Sequence, residues 1–373
     1  MPSLFDIGKS GLQAYRQSLA VTGQNIANVN TDGFKKREVG LEEVTGAGGG
    51  VTEISDQSGL GVRVQSIRRA FDEFLIDKSR QASSIYQKAN TFSREVSDLE
   101  NLLLPTDSNL STAIGNFFNS LQDIAAYPDD QAARIVAVEK GKDLASQFNL
   151  YSDRIENLKN DIEKKAQNAV TSVNLLTQQI SNINGKILAS GVESGGSNAL
   201  LDQRDLLLDQ LSEVTQITVS YGGKGQAEVR LGNTGSGPVI VSSNDNPSTG
   251  TTGTTLIDVV NQGSRLQPVV GSSQTATNQI QGGIIAGMVE AYAISDDTLK
   301  EVDALAILVS EKFNEVNQSG LNLNGEKGSQ MFSVSSLKAI ENPTNRSSVG
   351  VAVFVTNPSQ IKEKEFTVMY NEE

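Results

Sequence analysis

Between Asp130 and Ala189 the chain contains no proline, and only Gly141 and Gly185 weaken an otherwise helical composition. From Phe148 onward apolar residues recur at Tyr151, Ile155, Leu158, Ile162, Ala166, Ala169, Val173, Leu176, Ile180, Ile183 and Ile187. The steps are three and four, with a single four-four stutter at Leu158, Ile162 and Ala166. Such spacing belongs to one helix, and heptads with a stutter describe a coiled-coil-like rod that is locally unwound at the break. At 1.5 Å per residue this helix is about 90 Å long, roughly three times the diameter of a small domain. The expected fold is therefore mainly α with β-rich parts: an elongated, multi-domain protein of long antiparallel helices and small β elements.

The remaining pattern fits around that rod. Helical segments are expected at about Asp72 to Leu104 and Ser108 to Ala126, with breaks at Pro105 and at Pro128, Asp129 and Asp130. Asp129 and Asp130 are placed to cap the long helix. The stretch SGVESGGSN then leads to an apolar helix, ALLDQRDLLLDQLSEV, expected to fold back on the rod. From Thr215 to Val260 short alternating runs (QITVSY, AEVRLG, PVIVS) are joined by Gly, Ser, Thr and Asn, and read as strands. A late helix runs from Ile284 to Asn317, closed by Gly320, with Asp296 and Asp297 marking a kink. Two early runs, VTEI and GVRVQSI, follow the glycine-rich GAGGG and read as a hairpin. The tail runs SVGVAVFV and EFTVMY read as strands.

The chain opens with a second heptad seam: Phe5, Gly8, Leu12, Tyr15, Leu19, Thr22, Ile26 and Val29. Gly8, Gly11 and Gly23 each weaken a helix by about 1 kcal/mol relative to alanine, so this helix needs partners. It ends in NIANVNTDGF, whose asparagine amides bond nearby backbone and whose Gly33 takes positive φ after Asp32, turning the chain.

Composition excludes several functions. A formal charge of −13 over 373 residues argues against nucleic-acid and anionic-membrane partners. The one basic triplet, Lys35, Lys36 and Arg37, is followed by Glu38 and reads as a solvated patch. With neither histidine nor cysteine, Cys-His and Ser-His-Asp nucleophilic sites and the usual zinc sets are ruled out. The absence of cysteine leaves the redox compartment open. Asp202, Asp205 and Asp209 share a helix face around Arg204, so a paired-carboxylate or divalent-metal site is one reading. A helix surface with an ion pair to Arg204 or to a neighbouring rod is the other and is preferred; Asp202→Asn should then leave stability nearly unchanged. No catalytic, cofactor or metal site is assigned. The first residues, MPSLFDIGKSGLQ, lack the basic start and apolar core of a cleavable signal peptide, and no transmembrane span is expected.

The opening SGLQAYRQSLAVTGQNIANVNTDGFKKR resembles the N-terminal signature of the bacterial flagellar axial proteins of rod, hook and hook-filament junction. GLGVRVQSIRRAFDEFLIDKSRQ, from Gly59, is also similar to that family. FFNSLQDIAAYPDDQAAR, from Phe117, and LLDQRDLLLDQLSEV, from Leu200, narrow the likeness to its hook-filament junction members. The resemblance implies a structural, non-enzymatic subunit of the flagellum without cofactors, exported without a cleavable signal peptide. It implies hook protein and the second junction protein as partners, and ring self-association in the full-length family. The implied axial assembly interface comprises Phe5, Leu12, Tyr15, Leu19 and Ile26, packing on partner helices, with Asn25, Asn28, Asn30, Gly33 and Phe34 at the turn.

The family pattern continues past the tail strands into a long C-terminal helix, whereas this chain ends at Glu373. On that reading assembly and export-chaperone binding are in question. The implied divisions are 1–40, axial helix and turn; 41–70, small hairpin region; 71–214, long-helix rod; 215–283, β-rich insertion; 284–320, returning helix; and 321–373, the start of an outer β domain. Alternatives are another hook, rod or second junction protein of the same assembly, or a surface adhesin or enzyme using Asp202 and Asp205.

Overall fold

The computed structural model describes residues 4–44, 61–104, 109–190, 197–243 and 253–333. In chain order the elements are α1 (Leu4–Ala27), β1 (Arg37–Glu43), β2 (Val62–Arg69), α2 (Glu73–Leu103), α3 (Leu110–Ala126), α4 (Gln131–Ser190) and α5 (Ser197–Val214). They continue with β3 (Ile217–Tyr221), β4 (Ala227–Leu231), β5 (Val239–Val241), β6 (Ile257–Asn261), β7 (Leu266–Val270), β8 (Thr275–Ala276) and α6 (Gly283–Ser319). The fold is mainly α with small antiparallel sheets, ordered β1-β2, β3-β4-β5 and β6-β7-β8. The chain divides into two compact units. One holds residues through Lys88 with Ala169–Asp258 and Pro268–Ala286; the other holds Ala89–Asn168, Val259–Gln267 and Gly287 onward. The GAGGG, VTEI, SVGVAVFV and EFTVMY segments lie outside the described residues.

Helix α4 is a single helix of 60 residues. Asp130 starts it, its carboxylate accepting the Ala132 N–H at 2.8 Å. Its buried strip differs from the expected heptads. Phe148, Tyr151, Ile155, Lys159, Ile162, Ala166, Val170, Val173, Thr177, Ile180, Asn184 and Ile187 are all buried, while Leu158, Ala169 and Leu176 are only half-buried. Two four-four steps, at 151-155-159 and 162-166-170, replace the single stutter. A strict heptad drifts by roughly 20° per repeat on a straight helix, and an 11-residue spacing removes most of that drift. The strip therefore stays on one side of α4 only by admitting a lysine, a threonine and an asparagine.

Each of these polar residues is satisfied. In the unit containing Gly287 onward, Lys159 forms a buried ion pair with Asp296 of α6 and lies 5.1 Å from the centre of the Tyr292 ring. Asp296 also meets Lys300 at 2.9 Å, and α6 runs unbroken through it, so Asp296 is a buried partner of α4 where a kink had been expected. The same unit has an aromatic core: Phe117, Leu144 and Phe148 pack with Val302, Val309, Phe313, Met331 and Phe332. The Phe117 and Phe313 rings meet edge to face at 4.8 Å. Asn314 fixes the returning segment, its amide donating to the Phe332 carbonyl at 2.8 Å and accepting from the Met331 and Phe332 N–H groups at 2.8 and 2.9 Å.

In the other unit, two asparagines of α4 pair with strand backbone as a second strand would. Asn184 donates to the Ala227 carbonyl at 2.8 Å and accepts its N–H at 3.0 Å. Asn174 does the same with Ile257, at 2.9 and 3.0 Å. These reciprocal pairs set the register of strand against helix at positions where an apolar side chain would leave backbone groups unbonded. The strand GVRVQSI pairs antiparallel with Arg37–Glu43, from Arg37↔Arg69 to Glu43↔Val62. VTEI, the expected partner, lies outside the described residues; REVGLEE, for which no strand was expected, hides its strand character behind four charges and a glycine.

Removing one member of the Lys159–Asp296 pair leaves the other buried and uncompensated. Asp296→Ala is expected to cost about 3–5 kcal/mol, while the double change Lys159→Met with Asp296→Leu restores most of that loss. Urea denaturation of the three chains checks it, and a double variant no more stable than the single one would contradict the assignment.

Candidate assembly surface

Helix α1 carries two heptad faces. The inner one runs through Ile7, Gly11, Ala14, Ser18, Val21, Asn25 and Asn28, with Ala14 and Val21 fully buried, and α1 packs on β1 and β2. Gly11, Ala14 and Ser18 on it are small, so the ribbon backbone approaches closely. Ser10 makes the tightest contact: its hydroxyl donates to the Ile7 carbonyl at 2.8 Å and accepts the Val62 N–H at 3.2 Å. Gly61, at φ 112°, sits so near that an added Cβ would lie 2.3 Å from the Ser10 Oγ.

The outer face is the apolar seam. Leu4, Phe5, Leu12, Tyr15, Leu19, Ile26 and Val29 are exposed by between 67% and 90%. Gly8 leaves an open groove between Phe5 and Leu12, bordered by Lys9, Gln13 and Arg16. A row of large apolar side chains this regular costs solvation free energy unless a partner covers it.

Asn25, Asn28, Asn30, Gly33 and Phe34 lie at the end of α1 and in the segment that follows it. Asn25 reaches across to β1, donating to the Arg37 carbonyl and accepting the Arg37 N–H, both at 2.9 Å. Asn28 donates to the Gln24 carbonyl at 2.9 Å and accepts from the Thr31 hydroxyl at 3.3 Å. Asn30 lies in the turn that follows. Gly33 has φ 80°, and its backbone rests on Leu206, where an added Cβ would be 3.0 Å from that of Leu206. Phe34 lies under the Arg37 guanidinium, 5.1 Å from ring centre. Phe5, Leu12, Tyr15, Leu19 and Ile26 thus face solvent, while Asn25, Gly33 and Phe34 act within the chain. The inner face was missed because its signal, glycine, alanine and serine at heptad spacing, carries little hydrophobicity.

The expected ion pairing of the α5 aspartates is present, but Asp202 and Asp205 are buried and most of their partners are arginines outside α5. Asp202 meets Arg69 at 2.9 Å and Arg37 at 3.5 Å; Asp205 meets Arg69 at 2.7 Å; Asp209 meets Arg80 at 2.7 Å. The side chains of Arg204 and Asp205 are almost wholly enclosed, and they meet at 3.5 Å. Burial lowers the Arg204 pKa, with Asp205 opposing that shift. Burial raises the Tyr221 pKa, opposed by Arg80, which lies 3.4 Å from the Tyr221 hydroxyl. Arg37 is consequently no solvated patch, and Asp202→Asn removes an acceptor from a buried network. Among the described residues no group of three Asp or Glu is placed to hold a metal ion, and no helix is long and apolar enough to cross a membrane.

Comparison with known proteins adds to this geometry. The model of the flagellar hook-associated protein FlgK helical domain matches residues 96–332, and that of the flagella basal body rod protein matches residues 5–35. Flagellar hook-associated protein 1 of Bacillus subtilis is 28% identical over 360 residues, covering 88% of this chain and 69% of its own length. That of Escherichia coli is 25% identical, covering 100% of this chain and 67% of its own length. The solved flagellar hook junction protein FlgK from Burkholderia pseudomallei has the same fold, with a TM-score of 0.63 at 23% identity over 77% of this chain and 51% of that one. The chain therefore spans about two thirds of the length of these curated relatives and about half of the solved chain.

The seat of α1 depends on Gly61. Gly61→Ala is expected to destabilise the unit by about 2 kcal/mol through the Ser10 contact and the positive φ. Adding Ser10→Gly should recover only the steric part. Denaturation midpoints of the two variants test this, and an unchanged midpoint for Gly61→Ala would exclude the close approach.

Proposed function

Because the chain belongs to the flagellar hook-associated protein FlgK family, we propose that it is a structural subunit of the bacterial flagellum, joining hook to filament through helix packing in a tubular assembly. The observation that carries this reading is the outer ridge of α1: a regular apolar seam left open while the opposite face of the same helix is packed. Each large side chain on it offers about 1.5–3 kcal/mol on full burial, enough for a row of them to hold helix against helix. Phe5, Leu12, Tyr15, Leu19 and Ile26 are the contacts to partner helices. Asn25, Asn28, Asn30, Gly33 and Phe34 set the direction in which the chain leaves that contact.

The partners are hook protein on one side and the second junction protein on the other, with further copies of the same subunit completing a ring. The protein works outside the cell, as an exported component of the flagellum, and performs no catalysis. Its carboxylates at Asp202 and Asp205 are engaged by arginines, which disfavours the enzyme reading. In the working molecule the axial segment leads through the ribbon to a rod over 71–214. A β-rich insertion over 215–283, a returning helix over 284–320 and the start of an outer β domain complete the division.

The test replaces the native gene, at full length, with one encoding Leu12→Asp and Leu19→Asp. Thermal unfolding should be unaltered, since both side chains are exposed, while swimming and filament attachment are lost. Ala14→Asp, on the inner face, should instead unfold the unit. Normal swimming by the double aspartate variant would overturn the proposal.

A further inference from the structure

Arg37 and Arg69 are directly paired across the β1-β2 ribbon, and like charges in that position repel. Both guanidiniums turn toward α5. Arg69 donates to Asp202 at 2.9 Å and to Asp205 at 2.7 Å, and Arg37 reaches Asp202 at 3.5 Å. The Arg69 side chain is 7% exposed and that of Asp205 is 0% exposed, so little solvent screens these pairs. The flanking aromatics hold the cations in line, Phe34 under Arg37 and Phe71 under Arg69, at 5.1 and 5.0 Å.

The rest of the ribbon offers little apolar grip. No residue of β1 or β2 is fully buried. Apart from the ion pairs, its ties to α5 include Asn198, which donates to the Ile67 carbonyl at 3.0 Å, and the approach of Gly33 to Leu206. Helix α1 is in turn seated on the ribbon through Ala14, Val21 and Ser10. The two arginines are therefore the charged ties among the contacts that set the pose of α1.

We propose that Arg37 and Arg69, gathered by Asp202 and Asp205, form a charge latch that holds the α1-ribbon module in one pose on α5. Closed, the latch converts a repulsive cross-strand pair into a clamp. Opened, it removes the tie and sets the two strand ends against each other, so that the module swings as a unit with β3, β4 and β5 undisturbed. The latch rests on intramolecular geometry alone; its consequence, control of the direction in which the outer ridge is presented, rests on the assembly reading above.

Hydrogen exchange by mass spectrometry on the whole chain tests it. In the double variant Asp202→Asn with Asp205→Asn, amides of residues 4–43 and 62–69 should exchange at least about tenfold faster, with those of 217–241 and 144–166 unchanged. Adding Arg37→Met to that background should restore part of the protection, because the facing charges are gone. A merely structural role predicts further loss on that addition, and this result would overturn the latch. So would unchanged protection in the double variant, or a uniform loss that includes 217–241. The single variant Asp202→Asn, which keeps the Arg69–Asp205 pair, should show a smaller rise in the same segments; no rise there also refutes the proposal. Exchange is read without hook or filament, so a failure of assembly by the Leu12 and Leu19 variant bears on the function and not on the latch.

Discussion

A helix of 60 residues must bury one strip along its length, and that requirement shapes most of the molecule. A straight α-helix returns to the same side every 3.6 residues, so the strip cannot follow heptads for long without supercoiling. Here it shifts twice and passes through Lys159, Thr177 and Asn184. The positions of Asp296 and Tyr292 on α6, and of Ala227 on β4, are set by what those polar residues need. A buried lysine demands a carboxylate, and a buried asparagine demands a backbone donor and acceptor. Packing partners are thereby fixed in register, which apolar contact alone would specify only loosely.

The same requirement explains what could be read from the amino-acid sequence. The long helices were legible because their apolar residues recur over many turns, so α4 could be placed from Asp130 with its capping carboxylate. Leu158, Ala169 and Leu176 were taken for seam residues because they are apolar and sit one place from the true strip. Lys159 was passed over because a charge looks like a surface residue until Asp296, far away in sequence, is known to meet it. The aspartates of α5 repeat the lesson. Their spacing marks a single helix face, but whether that face meets water or the arginines of β1, β2 and α2 is a matter of tertiary pairing. β1 was missed for a related reason, its four charged residues masking a strand whose partner lies beyond a long connection.

On α1 the two faces are separated by chemistry as much as by geometry. The inner face uses small residues and backbone hydrogen bonds to bring a helix against a two-stranded ribbon. The outer face keeps most of the bulky apolar residues and leaves them uncovered. Sequence reading found the outer face first because hydrophobic size dominates periodicity, and the resemblance supplied a use for it. The turn residues belong to the chain's own architecture: Asn25 spends both ends of its amide on Arg37, and Gly33 is pressed on Leu206.

Different forces therefore hold different parts. The aromatic cluster around Phe117 and the strip on α4 are held by burial, which is non-directional and tolerates little separation, since contact is lost as soon as a gap opens. The ribbon that carries α1 has no fully buried residue and is held through directional ion pairs and a few backbone contacts. Breaking such a contact exposes polar groups that water can solvate, so separation costs less than opening an apolar core of similar area. For a subunit proposed to match two neighbouring assemblies, that division is mechanically apt. The packed core keeps its shape, and the element bearing the assembly ridge is fastened by contacts whose geometry can change without the core unfolding.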